Sequence, residues 1–287
     1  MVDSKEARAR LAQYYLETTR LVSTGENYQG LDPDWPQINA VLDFSSNSKD
    51  EVVQVNVFSE LAFALNDYWD VHSMAYERIM WCRQAVRICR DLRRPRDESR
   101  HLTNLGTAYR DLGQVSQAIE CFELALDIAQ ETGDRRGEGA HLGNLGLAYS
   151  DLGQLRQAID YYEQALTIAR EIGHQRNEAA WLGNLGVAFR ELGQFERAIA
   201  FYEQALIVSR ELGHRHSEGA HLGNLGHVYC DLGKIERAIS YYERALTISR
   251  EIGDRRGEGA DLGSLGGAYC DLERYEQAVE FYRDVPE

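Results

Sequence analysis

The chain has 287 residues, 44% of them hydrophobic, with a formal net charge of −15 and only four prolines. That is enough apolar material for a substantial core. The negative balance speaks against nucleic acid or an anionic membrane surface as the main partner, since both call for a basic face.

Taken from the start, MVDSKEARAR is charged and no apolar run comes after it, so no signal peptide is expected. No stretch approaches the length that spans a bilayer. Residues 4–23 read as an amphipathic helix, and the run from Gly25 to Asp34 reads as a linker. A second helix is expected over DWPQINAVL, with Asp34 as its N-cap. Residues 1–56 are thus expected to form a helical segment packing on the downstream helices. Residues 57–96, with LAFALNDYWDV and then MAYERIMWCRQAVRICRDL, read as a degenerate helix-pair repeat, a sixth unit that keeps the register of those downstream but has lost their glycines. Ala85 lies forty residues before Ala125, and Trp81 forty before Cys121.

From residue 97 the repeat is unmistakable. AHLGNLGLAYSDLGQ, which begins at Ala140, recurs as RHLTNLGTAYRDLGQ, AWLGNLGVAFRELGQ, AHLGNLGHVYCDLGK and ADLGSLGGAYCDLER. Gly106, Gly146, Gly186, Gly226 and Gly266 stand forty apart with no insertion. The units expected are 97–136, 137–176, 177–216, 217–256 and a shortened 257–287. Within a unit, Leu142, Leu145, Gly146 and Tyr149 follow helical spacing. Gly153 closes that helix. Ala158, Ile159, Tyr162, Ala165, Leu166, Ile168 and Ala169 give a second helix its buried stripe. Such a pair cannot cover its own apolar surface and must stack on neighbours. Val279, Phe281 and Tyr282 are expected on a last helix that nothing covers, which suggests that a remainder of the solenoid lies beyond it.

Leu142, Leu145, Gly146, Tyr149, Ala158, Tyr162 and Ala165 resemble the tetratricopeptide (TPR) signature in identity and spacing. The forty-residue period is similar to the long-helix variety of kinesin light chain and the Pins adaptors. Arg170 stands where the closing proline of that family is usual. The resemblance implies an all-α, right-handed superhelix of stacked antiparallel helix pairs. DWPQINAVL, followed by FALNDYW and then repeats, resembles the segment that joins the NTPase core of bacterial STAND regulators to their TPR sensors. No G-x-x-x-x-G-K-[ST] is present, so that NTPase is not in this chain.

Is GNLG a phosphate cradle? A cradle needs glycines in a loop at a helix N-terminus, where N–H groups are free. Here they fall inside a helix, so a nucleotide is not expected. Instead, Gly146 reads as a close-packing position between paired helices, and Gly143 as a bare position open to an approaching backbone. The resemblance implies that the other face of the first helix lines a concave groove. On it fall Asn104 and Arg110; Gly143, Asn144, Leu147 and Ser150; Gly183, Asn184, Val187 and Arg190; and Gly223, Asn224, His227 and Cys230. In kinesin light chain and Pins such asparagines bind the backbone of an extended partner, and each amide offers donors and an acceptor. The bland alternative is that they bridge adjacent repeats. Ser264 interrupts the ladder.

Chemistry is otherwise sparse. His101, His141 and His221 share one repeat position with Trp181, and a packing role suits them better than metal binding. His214, His216 and His221 lack the spacing of a metal site. Cys82, Cys89, Cys121, Cys230 and Cys270 are odd in number and unclustered, consistent with reduced thiols in a cytoplasmic protein. The acids Asp111, Asp151, Glu191, Asp231 and Asp271 recur at helix ends, as turn chemistry or an acidic groove edge. Glu163 and Arg170 read as a solvated face. No nucleophile-and-base constellation emerges. A non-catalytic module binding a protein or peptide, with no cofactor, metal, nucleic acid or membrane, is the expectation. A structural, self-assembling solenoid, or a stand-alone adaptor without an NTPase partner, is its alternative.

Overall fold

The computed structural model describes residues 14–15, 17–19, 31, 34–48, 58–65 and 74–285. Most of the helix expected over 4–23, and most of the linker from Gly25, lie outside them. The chain divides into two compact units, one ending at Ala148 and one beginning at Tyr149.

In the first unit, α1 (Trp35–Ser46), α2 (Glu60–Ala64) and α3 (Ala75–Asp91) precede α4 (Pro95–Asp111) and α5 (Val115–Thr132). Asp34 does stand at the N-cap of α1, but its side chain makes no capping bond there; Pro36 in the first turn spares one N–H instead. Ile38, Val41 and Leu42 of α1 share a core with Leu61, Trp81, Ala85 and Ile88. The N-terminal segment is thereby packed onto the glycine-poor helix α3. Helix α4 packs on α3 and on α5.

Helix α6 (Arg135–Asp151) carries the chain from one unit into the other. The second unit continues with α7 (Leu155–Glu171), α8 (Gln175–Glu191), α9 (Phe195–Glu211), α10 (Arg215–Asp231), α11 (Ile235–Ile252), α12 (Arg255–Asp271) and α13 (Tyr275–Arg283). Every consecutive pair from α7 to α13 is packed together. Helices begin at 95, 135, 175, 215 and 255, so the sequence period is reproduced in space.

Two devices enforce this geometry. The first is the turn: Gly153, at φ +70°, closes α6 in the left-handed conformation that favours glycine. Glu273 takes the same conformation at φ 57° without being glycine. The second is close packing. A Cβ on Gly186 would lie 2.6 Å from the Tyr202 ring, and one on Gly106 2.5 Å from Phe122. Only hydrogen fits, so the aromatic ring of the second helix lies flat against the backbone of the first. The stripe predicted for the second helix is buried as expected, from Ala158 to Ala169.

A row of stacked rings was not legible in advance. Tyr149–Tyr161, Phe189–Phe201, Tyr229–Tyr241 and Tyr269–Phe281 lie face to face, with centroids 5.2–5.3 Å apart. Phe281, expected to be uncovered, is therefore packed within its own repeat. Val279 and Tyr282 are about half exposed, as expected of an end helix. Arg170, read as part of a solvated face, bonds Glu178 of the next helix at 2.8 Å and Gln204 at 3.1 Å. The same bridge joins Arg210 to Glu218 and Arg250 to Glu258. Their arginines are exposed and their glutamates sheltered, with Glu218 buried, and together they join each repeat to the next.

Candidate functional site

In the second unit the first helices of successive repeats, α8, α10 and α12, touch one another directly, more extensively than the second helices do. Of the predicted groove residues, those from Gly183 to Arg190 lie on α8 and those from Gly223 to Cys230 on α10. Positions i, i+3 and i+6 of each first helix are half-buried: Asn184, Val187 and Arg190 on α8; Asn224, His227 and Cys230 on α10. Asn104 and Arg110 on α4, and Asn144, Leu147 and Ser150 on α6, have the same accessibility. This stripe is too wet for core and too sheltered for an ordinary solvated face.

The asparagines are the informative members. Asn104 keeps a buried amide nitrogen with no hydrogen-bond partner among the described residues. Such a group costs about 1–3 kcal/mol if left unsatisfied. The contacts that bridge neighbouring repeats use other side chains. Ser99 Oγ lies 2.9 Å from His141 Nε2, and Ser59 Oγ 2.7 Å from His101 Nε2. Arg190 Nε donates to Asp231 Oδ2 at 2.5 Å. Arg190 thus pairs with the acid that closes α10, which reaches across from the next repeat. Arg78 and Asp111 are similarly paired at 2.9 Å.

The glycines divide. Gly143 and Gly183 are buried rather than open to an approaching backbone. A Cβ on Gly183 would meet His221 Cε1 at 2.8 Å, so this glycine seats the ring of the next repeat. Gly223 is different: a Cβ there would meet only Asp261 Oδ1, at 3.7 Å, and Gly263 has open space. His101, His141 and His221 are buried, and burial lowers their pKa values to about 3, about 4 and about 4. They are neutral packing groups. Among the described residues, no group of three or more His, Cys, Asp or Glu is arranged to hold a metal.

His227 Nδ1 and the Tyr242 hydroxyl are 2.8 Å apart, and the same hydroxyl donates toward Cys230 Sγ at 3.6 Å. Both predicted groove residues are thus held from behind by the second helix. Burial raises the Cys230 pKa and lowers that of His227, so the site offers a quiet, uncharged surface rather than a nucleophile. Cys230 and Cys270 are free thiols. Between α10 and α12 the surface opens into a pocket of about 390 Å³, whose lining includes Gly223, Asn224, His227, Ser249, Asp254 and Asp261. Sequence reasoning missed Asp261, although its place in the histidine column marked it as the exception.

An all-α stack of helix pairs, with half-buried amides on its first helices and no assembled catalytic group among the described residues, defines a class: the α-solenoid interaction scaffold. A tetratricopeptide repeat model matches residues 97–171, 138–211 and 217–285. The chain belongs to the tetratricopeptide repeat family, a family of non-catalytic scaffolds. Comparison with curated protein sequences finds no match. Among solved structures, BtubC (BKLC) from P. vanneervenii is similar with 24% identity and TM-score 0.67, over 74% of this chain and 89% of that one. The apo form of RapI is similar over 95% of both chains, with 13% identity and TM-score 0.73. A Rap protein complexed with Competence and Sporulation Factor is similar over 98% of this chain and 96% of that one, at 16% identity and TM-score 0.61. Among the described residues, no helix is long and apolar enough to cross a membrane.

Proposed function

We propose that the chain captures an extended peptide or helix of a partner protein on its first helices, the backbone of the partner bonding to Asn184 and Asn224 in the second unit, with Asn104 and Asn144 at the matching positions of the first. One observation carries this reading: the asparagine row is half-buried, while the bonds that tie repeats together are made by Ser, His, Arg and Asp side chains. A purely structural role inside the solenoid would have engaged the amides; a ligand-binding role leaves them available. The solved Rap complex supports the same reading by fold alone. The resemblance of DWPQINAVL and FALNDYW to STAND regulators adds a context, a cytoplasmic sensor or scaffold working with an NTPase.

Replacing Asn144, Asn184 and Asn224 together by alanine is expected to abolish co-purification of the partner from the native cells, with helical content unchanged by circular dichroism. Capture that survives the triple change would overturn the groove reading. The STAND context predicts an NTPase encoded in the same frame or alongside. A self-assembling solenoid, the competing reading, is favoured by the exposed Tyr275, Val279 and Tyr282 on α13. It requires mass by light scattering to rise with concentration.

A further inference from the structure

The column formed by residues 101, 141, 181, 221 and 261 holds a ring in every repeat but the last. His101, His141, Trp181 and His221 are all at least nine-tenths buried. In the second unit the consequence is visible at two successive steps. The His221 ring fills the space over Gly183, with Cε1 2.8 Å from where a Cβ would be. One repeat on, Asp261 replaces the ring, and over Gly223 there is only a carboxylate oxygen. The pocket between α10 and α12 lies where Asp261 stands in place of the ring, with the little-covered backbone of Gly223 in its lining.

What Asp261 lacks is an ion-pair partner, although Arg256 and His216 also line the pocket. Asp261 Oδ2 accepts from Ser249 Oγ at 2.8 Å, which leaves Oδ1 directed to Gly223 and the cavity. No ion pair engages this carboxylate among the described residues. Burial, with Asp254 adding repulsion of the same sign, raises its pKa to about 6. His216 is already taken by Asp254, at 3.1 Å, and Arg256 on the rim is exposed. A half-buried carboxylate with one hydroxyl donor and no ion pair costs stability that a hydrophobic or amide residue would not. Asn224, a rung of the proposed backbone ladder, opens onto the same cavity.

We propose that this pocket is a subsite for one cationic group of the bound peptide, an arginine or lysine side chain or the amino terminus, whose N–H donors Asp261 Oδ1 accepts while Asn224 holds the adjoining backbone. The proposal rests on the groove reading and adds what the groove selects. An incoming guanidinium or ammonium would form a charge-assisted bond, roughly twice as strong as a neutral one, and would supply the ion-pair partner that Asp261 lacks. A cavity of about 390 Å³ is at the small end of ligand sites, suited to one side chain.

The test uses the full chain and a random hexapeptide pool in two arms, free and N-acetylated, with retained sequences read by mass spectrometry. The expected result is enrichment of Arg and Lys at one position. Loss of retention on acetylation, without a basic side-chain preference, assigns the subsite to the amino terminus; Arg or Lys enrichment that persists on acetylation assigns it to the side chain. Asp261→Asn should cut the enrichment about tenfold, in line with loss of a charge-assisted bond, while total retention persists. Asp261→His, which restores the column ring, should fill the pocket and do the same, and serves if the first variant folds poorly. Enrichment that is undiminished in both variants overturns the proposal. Retention with neither a basic preference nor a loss on acetylation also overturns it but leaves the groove reading standing. A wild-type chain that retains nothing removes both.

Discussion

A buried histidine is an unusual choice for a packing group, and His221 shows what it costs. Its ring is 8% exposed, and neither nitrogen has a hydrogen-bond partner among the described residues. His141 escapes this because Ser99 and Thr103 reach its two nitrogens, at 2.9 and 3.2 Å. At the position matching Ser99, the repeat before His221 has Ala179, so the ring is left without a partner. His221→Phe is therefore expected to stabilise the chain by about 1–3 kcal/mol at pH 7, measured by urea unfolding. The pH dependence has a definite sign. Burial lowers the folded pKa of His221 from 6.5 to about 4, so the unfolded state binds the proton first. Stability is full above about 6.5 and falls as pH drops toward 4. The phenylalanine variant should lose less stability than wild type between pH 7 and pH 5. An equal loss in both would mean that the ring is not buried neutral.

The helix is the scale at which the glycines make sense. Glycine inside a helix costs roughly 1 kcal/mol relative to alanine, yet the repeated glycines of the first helices are of two kinds. Gly186 has the Tyr202 ring where its Cβ would be, at 2.6 Å, whereas Gly263 has nothing within 4 Å. Gly186→Ala should destabilise by about 1–3 kcal/mol, because the ring must move out of a packed layer. Gly263→Ala should stabilise by about 0.5–1 kcal/mol through the unfolded chain and helix propensity. Thermal unfolding of the two variants separates them. Stabilisation of both would show that the close ring contact is not holding the pair together. Much of this scale was legible from sequence. The fixed spacing of Leu142, Leu145, Gly146 and Tyr149 gave the buried face of the first helix, and Gly153 its end. The role of Gly143 and Gly183 was not legible, because what covers them is a ring forty residues further on.

In a chain of stacked pairs, each repeat contacts only its neighbours, and stability is close to a sum of local terms and interfaces. Within the second unit the packing runs in that way, each helix on the next from α7 to α13. The damage done by Gly186→Ala should accordingly be graded. Hydrogen exchange is expected to lose protection most in α8 and α9, less in α10 and α11, and least in α12. A uniform loss across the unit would mean that it unfolds as one cooperative body. The ion pairs Arg170–Glu178, Arg210–Glu218 and Arg250–Glu258, each with an exposed arginine and a sheltered glutamate, sit at the joints between pairs. They set the joint geometry more than its strength.

The sequence by itself determined the element plan: helix pairs at a forty-residue period, the stripe each second helix buries, and a close-packing glycine in each first helix. Those are consequences of local spacing, which one chain written in a line displays in full. Only the tertiary structure decided what lies across from each residue. It showed that Arg190 is tied to Asp231 and that Gly183 is a seat for His221. It also showed that Asp261, one letter different from a histidine column, leaves a pocket beside Asn224. Such facts depend on the angle and distance between stacked repeats, and these are set by ring packing and joint contacts that no single repeat contains.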